Sequence, residues 1–307
     1  MNIIKATDTI PVEHPVFMIF GQPGICKTSL AYSTKNPLLL DFDKGAHRAA
    51  NRRDTLQING WADVAELMDN RDALGSYDTI IVDTVGRCLD MITADIAATD
   101  PKKAPGGNLS QQGWGVLKNR FRQWTSQIRL FGKDVVLIAH DKEDKDGDTR
   151  IVRPDIVGGS YGEVMKVADF VGYLYMNGKD RVLDFNPTDR WIGKNPAGWK
   201  PMNVPPVAKA QTVLAELIVK GGEALGSISA ESAAVMQAVE TWRDKIAKLN
   251  TAKAHTDEIA LIQTLGPTAK PQVAKLLLDH AESVGLHFDK ASKQFVANAP
   301  VEEPATV

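Results

Sequence analysis

The sequence predicts an α/β fold, a central and mostly parallel sheet, followed by a small all-helical C-terminal region. Three observations carry this. Short apolar runs at residues 16–20, 38–40, 79–82 and 135–139 read as strands buried on both faces, the habit of parallel sheets. These runs lead directly into Gly21, Asp41, Asp83 and His140. Helical stretches separate them, and strand–helix alternation marks a doubly wound sheet with its function at the carboxyl ends of the strands.

Each element follows from its own pattern. A glycine-bearing loop after residue 20 leads into a helix that opens at Lys27-Thr28. Residues 110–131 form the clearest amphipathic helix, with Trp114, Leu117, Phe121, Trp124, Ile128 and Phe131 at spacings of three and four. Residues 141–159 are polar and irregular, and Asp146-Gly147 signals a hairpin turn. Residues 171–175 and 181–185 read as further strands, and residues 201–206 as a linker. Beyond it the pattern turns helical. One helix is expected to stop at Gly221-Gly222, a second to start near Ser229, a third to be capped by Thr256, and a fourth to end at Gly285. The expected division is a core at 1–206, a helical region at 207–290 and an acidic tail at 291–307.

Composition limits the function classes. The 307 residues are 43% hydrophobic and 24% charged, with a formal net charge of −2, so no global field draws nucleic acid or a membrane to the chain. The only cysteines, Cys26 and Cys88, have no metal-ligand spacing, and no signal peptide or membrane-length apolar run is present. A cytoplasmic location with no membrane partner is expected.

The residues 21–28, Gly21-Gln22-Pro23-Gly24-Ile25-Cys26-Lys27-Thr28, fit the phosphate-loop pattern G-x-x-x-x-G-K-[ST] except that Cys26 stands where the last glycine belongs. A buried strand before it and a helix after it supply the required context. Backbone N–H groups and the helix N-terminus would face phosphates, Lys27 would neutralise them, the Thr28 hydroxyl would ligate Mg²⁺, and Ser29 completes the binding segment. Asp83, at the end of the apolar strand Thr79-Ile80-Ile81-Val82, would hold a Mg²⁺ water beside Thr28. The implied cofactors are ATP and Mg²⁺. A GTPase reading from Asp83-x-x-Gly86 and Asp141-Lys142-Glu143-Asp144 is disfavoured, because an aspartate acceptor would face the guanine O6 acceptor. Residues 101–133 carry seven basic side chains and no acid. Lys118, Arg122 and Arg129 share one helix edge, with Lys102 and Lys103 in the loop before it. That edge reads either as a solvated face or as a surface for single-stranded DNA.

In this order, the 21–28 loop, the 38–43 strand, the 77–83 strand, a Trp-Gly helix, the 135–140 strand and Gly193-Lys194-Asn195, the chain resembles phage-encoded AAA-type ATP-binding proteins. These include single-strand annealing proteins reduced to a RecA-like core, and the likeness covers about residues 10–205. The resemblance implies a RecA-like P-loop NTPase doing ATP-dependent work on single-stranded DNA in phage recombination or replication. It also implies self-assembly into a homo-oligomer, and a single-strand-binding protein is a further expected partner. Cys26 has a parallel in MoxR-like and minichromosome-maintenance ATPases, which are similar here with alanine at the matching place. Asp41-Phe42-Asp43 resembles the place where RecA-like ATPases end a strand with the catalytic glutamate. Asp43 is therefore expected to orient or deprotonate water, the alternative being that both acids cap the following turn. His140 falls where such proteins sense the γ-phosphate, or is structural. Lys194 is a candidate for reaching a neighbouring subunit's nucleotide. The rival functions are an ATP-gated MoxR-like chaperone or protein-binding module and a phage replication helicase or motor.

Overall fold

The computed structural model describes residues 3–146, 149–157 and 160–298. The expected turn at Asp146-Gly147 and most of the expected tail lie outside the described residues. The chain divides into two compact units, Val12–Leu225 and Met1–Pro11 with Gly226–Val307.

The larger unit holds β1 (Val16–Gly21), α1 (Lys27–Ala31), β2 (Pro37–Asp41), β3 (Thr55–Gln57), α2 (Trp61–Asp69), β4 (Thr79–Asp83), α3 (Val85–Thr99), α4 (Gln111–Leu130), β5 (Asp134–Asp146), β6 (Thr149–Pro154), α5 (Ser160–Val167), β7 (Phe170–Asn177), β8 (Asp180–Asp184) and β9 (Met202–Val204). The sheet order is β3-β2-β4-β5-β1-β7-β8-β9, with β6 paired to the far end of β5. Strands β3 to β7 along this order run parallel, while β8 and β9 are added antiparallel. This is the α/β P-loop NTPase arrangement expected above.

Every residue of β1, β2 and β4 is buried, because helices cover both faces. The alternation of β1 sorts the two layers. Val16, Met18 and Phe20 face a core with Leu89, Ile92, Leu117, Phe121 and Trp124 of α3 and α4. Phe17 and Ile19 face the other core, with Leu30, Phe170, Leu214 and Ile218. Register sets the functional edge. Gly21 pairs with His140 and with Leu174, and Asp41 pairs with Asp83, so the residues at the strand ends arrive together.

Several expected boundaries move. Residues 201–206 are not a bare linker, since Met202–Val204 pairs with β8. The helix expected to stop at Gly221-Gly222 continues, and α6 runs over Val213–Ile246. A Cβ on Gly221 would stand 2.9 Å from the rings of Phe17 and Phe170, so this glycine permits close helix–sheet approach rather than a stop. Leu214, Leu217 and Ile218 join the sheet core, which carries the larger unit past residue 206 to Leu225.

The second unit contains the rest of α6, then α7 (Ala252–Gln263), α8 (Ala269–Ser283), β10 (Leu286–Asp289) and β11 (Gln294–Ala297). It is not all-helical: β10 and β11 form an antiparallel hairpin. Asp289 accepts three hydrogen bonds from Ala291 and Ser292 to close its turn, and Phe295 joins Val239, Ile262 and Leu277 in the core. Ser229 caps no helix, because it lies inside α6, and its Oγ accepts from the Ile10 backbone N–H at 2.7 Å. Thr251, not Thr256, caps α7, while Thr256 accepts from the Phe295 N–H.

Candidate functional site

The loop between β1 and α1 is shaped by three residues. A side chain on Gly21 would put a Cβ 2.2 Å from the Leu174 carbonyl oxygen, so β1 must end on glycine to lie beside β7. Gly24 takes φ +80, and Cys26 takes φ 70, ψ 32, in the left-handed region. The pattern's missing glycine is thus a position whose backbone conformation favours glycine, and Cys26 holds it at a conformational cost. Ile25 anchors the loop by burying its side chain in the core under α1, while Gln22, Pro23 and Gly24 stay exposed.

Lys27 is buried and donates from Nζ to the carbonyl oxygens of Gly21 and Gln22, both at 2.8 Å. Burial lowers its pKa, against the opposing pull of Asp83, Asp141 and Asp43. Thr28 donates from Oγ1 to Asp83 Oδ2 at 2.6 Å, which brings together residues 55 positions apart. Burial pushes the Asp83 carboxyl up to about 6, although the Thr28 hydrogen bond and Lys27 oppose the rise. Ser29 is buried and accepts from the Ala50 N–H at 3.0 Å, so it tethers the facing segment to α1.

The acids at and just after the end of β2 differ in environment. Asp41 is fully buried and accepts from the N–H groups of Gly45 and Ala46, at 3.0 and 3.1 Å. Burial raises its pKa and those two N–H donors counter the rise. It builds the turn, and because Asp43 accepts from the same Gly45 N–H, both acids bond the turn that the capping alternative expected. Asp43 accepts from the Gly45 N–H at 2.8 Å and remains half-buried, lining a cavity of about 400 Å³. Lys27, Thr28 and Asp83 line the same cavity, with His140 beside them.

His140 Nδ1 lies 3.5 Å from Lys27 Nζ. Burial and the lysine charge lower its pKa. With Lys27 as an ammonium, which can only donate, Nδ1 would accept and Nε2 would carry the proton. Sequence reasoning missed Gly45, Arg48 and Ala49, which form the cavity wall opposite the phosphate loop. Their only local signal is the Asp41-x-Asp43-x-Gly45 turn.

The remaining expected residues do not join this cavity. Lys194 donates to the Ala168 carbonyl at 2.6 Å and pairs through its backbone with Val171, near the amino end of β7. Lys142, Glu143 and Asp144 lie in the β5–β6 hairpin, where Asp144 pairs with Arg153 and Glu143 with Arg150. On α4, Lys118 is half-buried, and Arg122 and Arg129 are exposed. Arg129 sits 3.8 Å from Asp169, Arg120 pairs with Asp95, and Lys103 pairs with Asp100 at 2.9 Å. Arg122 donates to Asn119. Lys102 remains in the exposed loop. Trp114 and Trp124 pack into the core, as their place on the apolar arc requires.

The donor set suits a Mg²⁺-nucleotide. A hydroxyl and a carboxylate meet at hydrogen-bond distance beside a buried ammonium, and Mg²⁺ characteristically takes one or two protein oxygens with waters and phosphates. Among the described residues no cluster of three or more His, Cys, Asp or Glu could hold a metal, so the phosphates would have to complete the shell. Among the described residues no helix is long and apolar enough to cross a membrane.

A family model described as an AAA domain matches residues 13–197. No curated protein matches the chain. The match spans more than half of the 307 residues and takes in the phosphate loop, Asp43, Asp83 and His140. The chain belongs to the AAA-domain family of P-loop NTPases.

Proposed function

We propose that the protein is a Mg²⁺-dependent ATPase that acts on single-stranded DNA as a homo-oligomer, in phage recombination or replication. The observation that carries the ATPase reading is the Thr28–Asp83 contact at 2.6 Å in one cavity with Lys27 and Asp43. Thr28 and Asp83 would hold Mg²⁺, which when bound supplies positive charge to phosphate oxygens. Lys27 would exchange its two loop carbonyl partners for phosphate oxygens. Asp43 would take a proton from a water in the cavity, because it lines the cavity and commits one oxygen, Oδ1, to the Gly45 N–H, whereas both Asp41 oxygens accept from the turn. His140, as the Nε2–H tautomer, would offer a donor to phosphate oxygens near Lys27.

The DNA reading is supported by the edge of α4, where the exposed Arg122 and the half-buried Lys118 have no acidic partner within ion-pair distance among the described residues. The ion pairs of Arg129, Arg120 and Lys103 favour the competing reading, an ATP-gated protein-binding module, because they neutralise much of the local positive charge. ATP turnover measured with and without single-stranded DNA separates the two: stimulation supports DNA action, and indifference to DNA supports the binding module. A strand-separation assay then distinguishes a helicase.

A further inference from the structure

The wall facing the phosphate loop has a defined build. Asp41 accepts the N–H groups of Gly45 and Ala46, and the short turn Ala46–Arg48 follows. Ala50 N–H is fixed to Ser29 Oγ of α1, and Asn51 Nδ2 donates to the Val207 carbonyl at 2.8 Å. The segment is therefore pinned on both sides of Arg48, while the Arg48 side chain itself is exposed at the cavity. Among the described residues no acid lies within ion-pair distance of Arg48, although arginines 87, 120, 129, 150, 153 and 243 each have one.

The guanidinium lies close to Asp43. A Cβ built on Gly45 would stand 2.4 Å from Arg48 Nη2 and 2.6 Å from Asp43 Oδ1, so both groups converge above a residue without a side chain. The charge balance of the cavity also calls for a second cation. Asp43 and Asp83 face it with Lys27, and burial lowers the Lys27 pKa. A nucleoside triphosphate adds several negative charges, which one lysine and one divalent ion leave undercompensated. Arginine keeps its charge in any such setting and matches phosphate oxygens with a planar fork.

We propose that Arg48 is a catalytic residue that binds the terminal phosphate of the nucleotide within its own subunit, beside the water served by Asp43. This rests on the ATPase reading. Its neighbour Asp43, rather than the loop N–H groups, sets which phosphate it meets: the acid that serves the attacking water must face the terminal one.

The test is calorimetry on the full chain with a non-hydrolysable ATP analogue and with ADP, both with Mg²⁺. Arg48→Ala should weaken the triphosphate analogue by about 10- to 100-fold, the usual cost of a lost charge-assisted contact, with ADP affinity near wild type. Arg48→Lys should recover part of the loss. Gly45→Ala, which pushes both the guanidinium and the Asp43 carboxylate aside without removing either charge, should also harm the triphosphate more than ADP. Unchanged triphosphate affinity in Arg48→Ala, or an equal loss for ADP, overturns the assignment while the ATPase reading stands. If the wild type binds neither nucleotide, or Lys27→Ala binds both normally, the ATPase reading fails and the inference falls with it.

Discussion

The phosphate-loop cavity and the outer edge of α4 both carry charged residues singled out in the sequence, yet they differ in what folding does to them. In the cavity, residues from α1, the turn after β2, β4 and β5 converge, and among the described residues no ion pair ties up their charges: Asp43 half-buried, Asp83 pushed up to about 6, Lys27 donating to two backbone oxygens and beside the His140 Nδ1. On α4, folding brings acids to the basic side chains. Asp95 of α3, Asp100 and Asp169 come from outside the 101–133 stretch that contains no acid. A local charge count describes a surface only when distant residues leave it alone.

The largest expected effect tests the cavity. Lys27→Ala should abolish tight Mg²⁺-ATP binding, because the loop loses its buried cation; equal affinity by calorimetry would overturn the site. Asp43→Asn should leave ATP bound and slow turnover by about 10²- to 10⁴-fold, the range for a lost general base. Normal turnover in Asp43→Asn with loss in a folded Asp41→Asn would reverse the assignment of the two acids.

The other side of the comparison is tested by changing Lys118, Arg122 and Arg129 together to glutamate. Loss of single-stranded DNA binding with ATP affinity intact is expected. Wild-type anisotropy should weaken with salt at a log–log slope of about −0.7 per phosphate contact. If the triple variant binds DNA as well as wild type, α4 is only a solvated face. The difference can be sharpened by replacing Arg122 and Arg129 separately: Arg122, with no acid partner among the described residues, should contribute more than Arg129, which must leave Asp169.

The smallest effect is a stability change with pH. The folded-state pKa of Asp83 is raised, to about 6, so its neutral form is favoured in the folded protein. The stability this contributes is present below the unfolded carboxyl value and is lost as pH rises through about 6. Asp83→Asn should therefore make the nucleotide-free protein more stable above that pH, by up to about 3 kcal/mol for a two-unit shift, with the gap closing near pH 4. Melting curves across this range check it. A constant gap would show that Asp83 is not the titrating group. Mg²⁺-nucleotide binding should weaken below pH 6 in the wild type, since a proton competes for the same carboxylate.

Much of this protein was legible from sequence because the relevant information is contiguous. The strand, loop and helix around residues 16–31 identify a phosphate loop without a tertiary contact, and the run ending at Asp83 completes it. The parallel core follows from apolar runs that only a sheet covered on both faces can bury. The rest depended on residues far apart in the chain. Gly221 reads as a helix stop in the sequence, but the rings of Phe17 and Phe170 leave no room for a side chain there and the helix runs on. Asp41 and Asp43 are the same residue type two positions apart and both accept from the Gly45 N–H, and only the full burial of Asp41 and the place of Asp43 in the cavity wall distinguish them. Arg48 carries no motif; it enters the site because a capped turn and a tether to Ser29 bring it opposite the loop. Local pattern determines which elements form, whereas the packing of distant segments decides which side chains they leave free to act.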